Sequence, residues 1–219
     1  MVNESTLICI DDFIARFPLV AVCREDLQAA VEAICDSYCH GHKLIICGNG
    51  GSAADSEHIV GELMKGFLLK REIKGDLAEK IRRHCGDDAQ YLIDNLQGAL
   101  PALSMVNQVA LNTAFANDQA PDLSFAQQLL GMGDEGDVLL GISTSGNSTN
   151  VIYALEMAKV KGVKSIALLG HSGGKIKANN LADVNICVPE DETYKIQELH
   201  LPVYHMLCIA VENEFFGKG

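Results

Sequence analysis

From Lys43 onward, short apolar runs alternate with stretches of helical periodicity, and no other feature of this 219-residue chain limits its fold so strongly. The runs are Leu44 to Cys47, Ala102 to Met105, Val138 to Ile142, Ser165 to Leu169 and Val184 to Val188. Helical patterns follow them at about 52–67, 108–116, 147–161, 174–180 and 193–216. Parallel neighbours need a long crossover, so five strands each followed by a helix predict an α/β chain with a parallel sheet covered on both faces. The expectation is a three-layer α/β/α sandwich around a five-stranded parallel sheet, formed by one domain over residues 1–219. Ligands of such sheets lie beyond the carboxyl ends of the strands.

Two segments stand outside this alternation. Leu7, Ile8, Phe13, Ile14, Phe17, Leu27, Val31 and Ile34 fall at helical spacings broken near Pro18, which predicts two helices within residues 1–40. They precede the first strand, so the sheet does not require them, and they read as an oligomerisation element. Between Leu69 and Pro101 the chain becomes strongly charged, and it reads as an insertion with short helices at about 76–85 and 88–96. Arg71, Arg82 and Arg83 in this insertion read as a solvated face rather than as phosphate ligands.

A formal net charge of -12 argues against a broad nucleic-acid or anionic-membrane surface, because both need a concentrated basic face. No apolar stretch approaches the roughly 18 to 20 residues of a membrane helix. Eight scattered cysteines, without a signal peptide, read as reduced thiols of a cytoplasmic protein. Cys35 and Cys39, near His40 and His42, lack a second ligand pair for zinc and read as buried small apolar residues.

Two glycine- and serine-rich turns each follow an apolar run and open a helix, where backbone N–H groups and the helix dipole favour an anion. The first is Gly48-Asn49-Gly50-Gly51-Ser52. With Ala53 it formally meets a dinucleotide fingerprint, but no second strand with an acidic end follows about 20 residues on. The second, Ser143-Thr144-Ser145-Gly146-Asn147-Ser148, places four hydroxyls within six residues and has no P-loop lysine. A phosphomonoester suits it better than a nucleoside triphosphate. The competing reading is a turn that merely caps its helix through Asn147 or Ser148.

His58 and Glu62, at i and i+4, share a helix face and are positioned either to grip a divalent metal or to form a plain surface pair. Gln197 and His205 lie eight apart, about 12 Å along a straight helix. A kink at Pro202 or a contribution from a neighbouring subunit is what would bring them to one ion. Spacing alone does not assemble these four residues.

GNGGSAADSEHIVGEL, ANDQAPD, GDVLLGISTSGNSTNV, the LLGHSGGK turn and KIQELHLPVYH, in this order, resemble the sugar isomerase (SIS) domain proteins, and among them the phosphoheptose isomerases. The likeness covers nearly the whole chain apart from residues 69–101. It implies the SIS fold, a flavodoxin-like sheet between helices, and a homotetramer with active sites at subunit contacts. It implies Zn2+ held by His58, Glu62, Gln197 and His205, with Glu62 as catalytic base and His205 as catalytic acid. It further implies phosphate held by Ser143, Thr144, Ser145 and Ser148, and sugar contacts from Asn49, Gly50, Gly51, Ser52, Asp118 and Gln197. The implied reaction interconverts sedoheptulose 7-phosphate and D-glycero-D-manno-heptose 7-phosphate through an enediol. Gly66 stands where the family commonly has an arginine, which puts the sugar specificity in question and makes Lys65, Lys70 or Arg71 the candidate replacements. The alternatives are an isomerase of another sugar phosphate and a non-catalytic phosphosugar-binding or assembly protein of the same fold.

Overall fold

Strands β1 (Leu44–Gly48), β2 (Ala102–Ser104), β3 (Val138–Ser143), β4 (Lys164–Leu169) and β5 (Val184–Cys187) form one sheet in the computed structural model, which describes residues 2–217. Their order is β2-β1-β3-β4-β5 and every neighbouring pair is parallel. β1 and β3 are buried along their whole length, because helices cover both faces; this is why they read as unbroken apolar runs. Growth of the sheet reverses between β1 and β3, whose carboxyl ends are level where Gly48 pairs with Ile142. That edge is the switch point at which sheets of this order bind ligands.

The period of two along each strand divides the core. Leu44, Ile46, Leu140 and Ile142 face a layer of α1 (Glu4–Arg16), α2 (Arg24–Cys39), α3 (Gly51–Met64) and α10 (Thr193–Phe216). Ile45, Cys47, Leu139 and Leu169 face α7 (Ser124–Met132), α8 (Thr149–Lys161) and α9 (Gly174–Ala178). α4 (Gly75–His84) and α5 (Ala89–Asn95) occupy the charged segment, and α6 (Val109–Asp118) follows β2.

The structure corrects three expectations and adds one element. The N-terminal helices do belong to the sheet's cover: α2 buries Leu27, Val31 and Ile34, and Thr6 of α1 donates to Glu214 of α10 at 2.7 Å. α7 is an element that periodicity does not reveal. It is nine residues long and polar between its anchors Phe125 and Leu129, and it buries Gln128, whose amide donates to Asn112 at 2.7 Å. Cys39 is exposed rather than buried, although all eight cysteines are free as expected. The third correction is Arg71, read as a solvated charge but only 1% exposed.

Arg71 Nε donates to Glu212 Oε1 at 2.8 Å, while its other nitrogens donate to the carbonyls of Leu63 and Glu62 at 2.6 and 3.2 Å. Glu212 accepts in addition from the N–H groups of Phe67, Leu68 and Leu69. One ion pair thus ends α3 by satisfying its last carbonyls and ties down the loop that follows. Arg82 and Arg83 are exposed.

His200 of α10 is completely buried, its Nε2 donating to the Leu169 carbonyl at 3.2 Å and its Nδ1 unpartnered. Burial pushes its pKa from 6.5 down to about 4. The folded state therefore holds it neutral where the unfolded chain would take a proton. Its contribution is complete above pH 6.5 and is lost as pH falls through about 4, with a ceiling of roughly 3 kcal/mol. Melting temperatures measured against pH are expected to fall in that window, less steeply for His200→Gln. Equal slopes would show that other groups govern acid lability.

Candidate active site

Both glycine- and serine-rich turns lie at the switch point, one after β1 and one after β3. Asn49 and Asn150 join them by a reciprocal pair of amide hydrogen bonds of 2.8 and 2.9 Å. In the second turn the Ser143 and Ser148 hydroxyls are 3.0 Å apart, and Ser145 Oγ accepts from the Asn147 N–H at 3.2 Å. Ser148 occupies the N-cap of α8 without a side-chain cap bond, so the capping reading does not account for the hydroxyls. Thr144 lies beside them, its carbonyl accepting from the Gly170 N–H at 3.0 Å. Gly146, at φ +63°, meets the Gly173 carbonyl so closely that no Cβ fits. The 170–175 loop thereby walls the cradle, with Ile176 donating to the Gly146 carbonyl at 3.1 Å.

At the first turn, Gly50 and Gly51 stay exposed and Ser52 is buried at the start of α3. A Cβ on Gly51 would stand 2.5 Å from Gln197 Nε2, so glycine admits the amide of α10. α10 is unbroken across Pro202, and its backbone leaves Gln197 about 12 Å along the helix from His205. Within one chain, Gln197 therefore sits over the first turn while His205 sits farther along. Asp118, at the exposed end of α6, pairs only with its neighbour Asn117 and is not drawn to the other site residues.

His58 Nε2 lies 3.1 Å from Glu62 Oε1, and the His58 and His205 rings are 5.0 Å apart, edge to face. Burial pushes the Glu62 carboxyl up, but Lys65, 2.9 Å from Oε2, and His58 outweigh it and hold the group below its ordinary value. Burial, with His58 nearby, pushes the His205 imidazole down against the pull of Glu62. At neutral pH this leaves an ionised carboxylate beside a neutral imidazole. His205 Nε2 is buried without a hydrogen-bond partner, and the residue lines a groove of about 560 Å³ between α1 and α10.

Two imidazoles and a carboxylate are a donor set of the zinc type, and the orphaned His205 nitrogen fits such use. The three are neighbours rather than a closed cage: among the described residues no group of three His, Cys, Asp or Glu side chains has metal-holding geometry as it stands. Asp55 and Tyr204 are site residues that sequence spacing does not single out. The Tyr204 hydroxyl is 3.0 Å from His58 Nδ1 and 3.3 Å from Asp55 Oδ1. Asp55 does share the helix face of His58, three residues before it, and Tyr204 adjoins His205 in sequence.

Gly66 has a structural reason. Its N–H donates to Gln97 Oε1 at 2.6 Å, and a Cβ there would come within 2.5 Å of the Leu69 carbonyl. No side chain is accommodated without moving this loop, and Lys65 is the cation beside Glu62. Lys70 points away and pairs with Glu72.

The SIS domain family model matches residues 19–91 and 93–170. A phosphoheptose isomerase of Citrifermentans bemidjiense is 39% identical over 193 residues, covering 88% of this chain and 86% of its own. One from Akkermansia muciniphila is 36% identical over 202 residues, 92% of each chain. The solved phosphoheptose isomerase of Neisseria gonorrhoeae superposes with a TM-score of 0.71 at 30% identity over 93% of this chain and 94% of the other. That of Francisella tularensis gives 0.74 at 29% identity over 91% of each. With fold, switch-point turns and sequence in agreement over most of its length, the chain belongs to the SIS domain family and, within it, to the phosphoheptose isomerase family of enzymes.

Proposed function

We propose that this enzyme interconverts sedoheptulose 7-phosphate and D-glycero-D-manno-heptose 7-phosphate, with Zn2+ bound by His58, Glu62 and His205. The observation that carries the reading is the meeting of these three side chains about two helical turns along α3 from the paired anion-holding turns. Ser143, Thr144, Ser145 and Ser148 hold the phosphate with the N-terminal N–H groups of α8. Asn49, Gly50, Gly51, Ser52 and Gln197 line the sugar chain; the place of Gln197 over Gly51 supports a sugar contact in preference to a metal ligand. Asp118 contacts sugar only across a subunit contact.

Glu62 removes the proton beside the carbonyl and returns it to the neighbouring carbon of the enediol, while the His205 imidazole N–H protonates the carbonyl oxygen and then recovers a proton from the adjoining hydroxyl as that becomes the new carbonyl. A carboxylate gripping a cation is a poorer base, so Glu62 acts when freed, steadied by Lys65. When bound, zinc supplies Lewis-acid polarisation of the carbonyl and a template for the opened sugar.

No residue of α6 is buried, and Val109 and Leu111 are 67% and 42% exposed, which supports coverage of this helix by another copy in a homotetramer. Among the described residues no helix is long and apolar enough to cross a membrane, and the free thiols suit a reducing cytoplasm. Gly66 in place of the family arginine favours a second reading, an isomerase of another sugar phosphate.

Incubating zinc-loaded protein with a panel of ketose phosphates in deuterated water tests the proposal. Deuterium is expected at the carbon beside the carbonyl, fastest for sedoheptulose 7-phosphate, lost with chelator and restored by zinc. Faster exchange with another ketose phosphate selects the second reading. Binding of the panel without exchange of any member overturns isomerisation.

A further inference from the structure

We propose that Tyr204 and Asp55 are positioning residues that fix the tautomer of His58, keeping the proton on Nδ1 and leaving Nε2 as the ligating nitrogen. The inference rests on the metal reading of the site, but its structural core does not depend on a metal. Tyr204 is 1% exposed, so its hydroxyl has no bulk water to turn to. Within reach of that hydroxyl are His58 Nδ1 at 3.0 Å and Asp55 Oδ1 at 3.3 Å. An ionised Asp55 only accepts, and a phenol has one proton. Both bonds form together in one way: Tyr204 donates to Asp55 and accepts from the His58 Nδ1–H.

The consequence appears at the other side of the ring. With Nδ1 protonated, Nε2 carries a lone pair and faces Glu62 Oε1 at 3.1 Å. Nε2 and the ionised Glu62 are then both acceptors, and their 3.1 Å contact is favourable only with a cation or a proton between them. The opposite tautomer would make Nε2–H a donor to Glu62, closing the pair against a metal and drawing the Tyr204 proton away from Asp55. Outer partners of ligating histidines act in this manner, and losing one typically costs 10–100-fold in metal affinity. The supply is economical in chain terms: α3 contributes Asp55, His58 and Glu62, while adjacent residues of α10 contribute Tyr204 and His205. The Tyr204 ring also stands edge-on to both imidazoles, at 5.5 and 5.1 Å, so it shapes the site as well as bonding to it.

Orientation can be measured separately from folding. Long-range proton–nitrogen NMR on metal-free protein labelled at histidine, at mildly alkaline pH, reads the His58 tautomer directly. Nδ1–H is expected in the native chain and in Asp55→Asn, which keeps an acceptor oxygen, and Nε2–H in Tyr204→Phe and Asp55→Ala. Zinc affinity by chelator competition is expected to be about 10–100-fold weaker in Tyr204→Phe and near native in Asp55→Asn. Circular dichroism checks that each variant folds, and the Asp55 pair carries the comparison if Tyr204→Phe does not. Nε2–H in the native chain, or the same tautomer and affinity in every variant, overturns the proposal. Failure of the native chain to bind zinc removes the metal reading instead, and the tautomer measurement still decides the role of Tyr204.

Discussion

Glu62→Gln is expected to lower kcat by about 100- to 10,000-fold while leaving the fold and the phosphate cradle in place. Glutamine matches glutamate in shape and still accepts a hydrogen bond, but it cannot take up a proton. The native carboxylate can, because Lys65 and His58 hold its pKa below the ordinary value in spite of burial and so keep it ionised at neutral pH. The variant should be assayed at saturating zinc, because the same group is a proposed ligand. Loss of deuterium exchange with retained binding of the sugar phosphate is the expected pair of results. His205→Ala should produce a loss of similar size, and full activity in that variant would remove the acid assignment. Retention of exchange in Glu62→Gln would move the base elsewhere, with Asp55 the next carboxylate on the same helix face.

Arg71→Met is expected to destabilise the protein by about 3–5 kcal/mol, measured by urea unfolding at fixed protomer concentration. Arg71 and Glu212 are each 1% exposed, so removing the guanidinium leaves a buried carboxylate with only the N–H groups of residues 67–69. The Leu63 and Glu62 carbonyls lose their donors as well. Because methionine retains apolar volume, the change isolates charge and hydrogen bonding from simple cavity formation. Adding Glu212→Gln should recover part of the loss, since the orphaned charge is what makes removal of one partner costly. A loss below about 1 kcal/mol would mean that water reaches the pair, as in ordinary surface ion pairs. Arg71→Met should also reduce activity, for Arg71 anchors the end of α3 that carries Glu62.

The individual elements show how legible each kind of feature was. Fully buried strands announce themselves as apolar runs, and α3, α8 and α10 carry long helical patterns, so the succession of elements along the chain and their parallel crossovers could be read directly, while the strand order in the sheet came from the structure. α7 could not: nine residues with Gln127 and Gln128 between Phe125 and Leu129 form a helix because the sheet and α8 offer a surface to cover. Arg71 and Arg82 are equally charged in sequence, yet only Arg71 finds a carboxylate, 141 positions away. His58 with Glu62 was readable because i, i+4 neighbours share a helix face whatever the fold. The hydroxyl-rich turn was readable for a similar local reason.

What the sequence determined by itself is therefore everything governed by short range: the five strands, their parallel pairing through helical crossovers, the two glycine- and serine-rich turns and the His58–Glu62 pair. What only the tertiary structure decided is which distant groups meet. It placed His205 and Tyr204 against His58, left Gln197 over Gly51, buried Arg71 on Glu212 and kept Asp118 apart. The physical reason is that periodicity and turn chemistry act within a few residues. The partner of a buried polar group is chosen by how whole elements pack, and α3 and α10 lie well over a hundred residues apart in the chain.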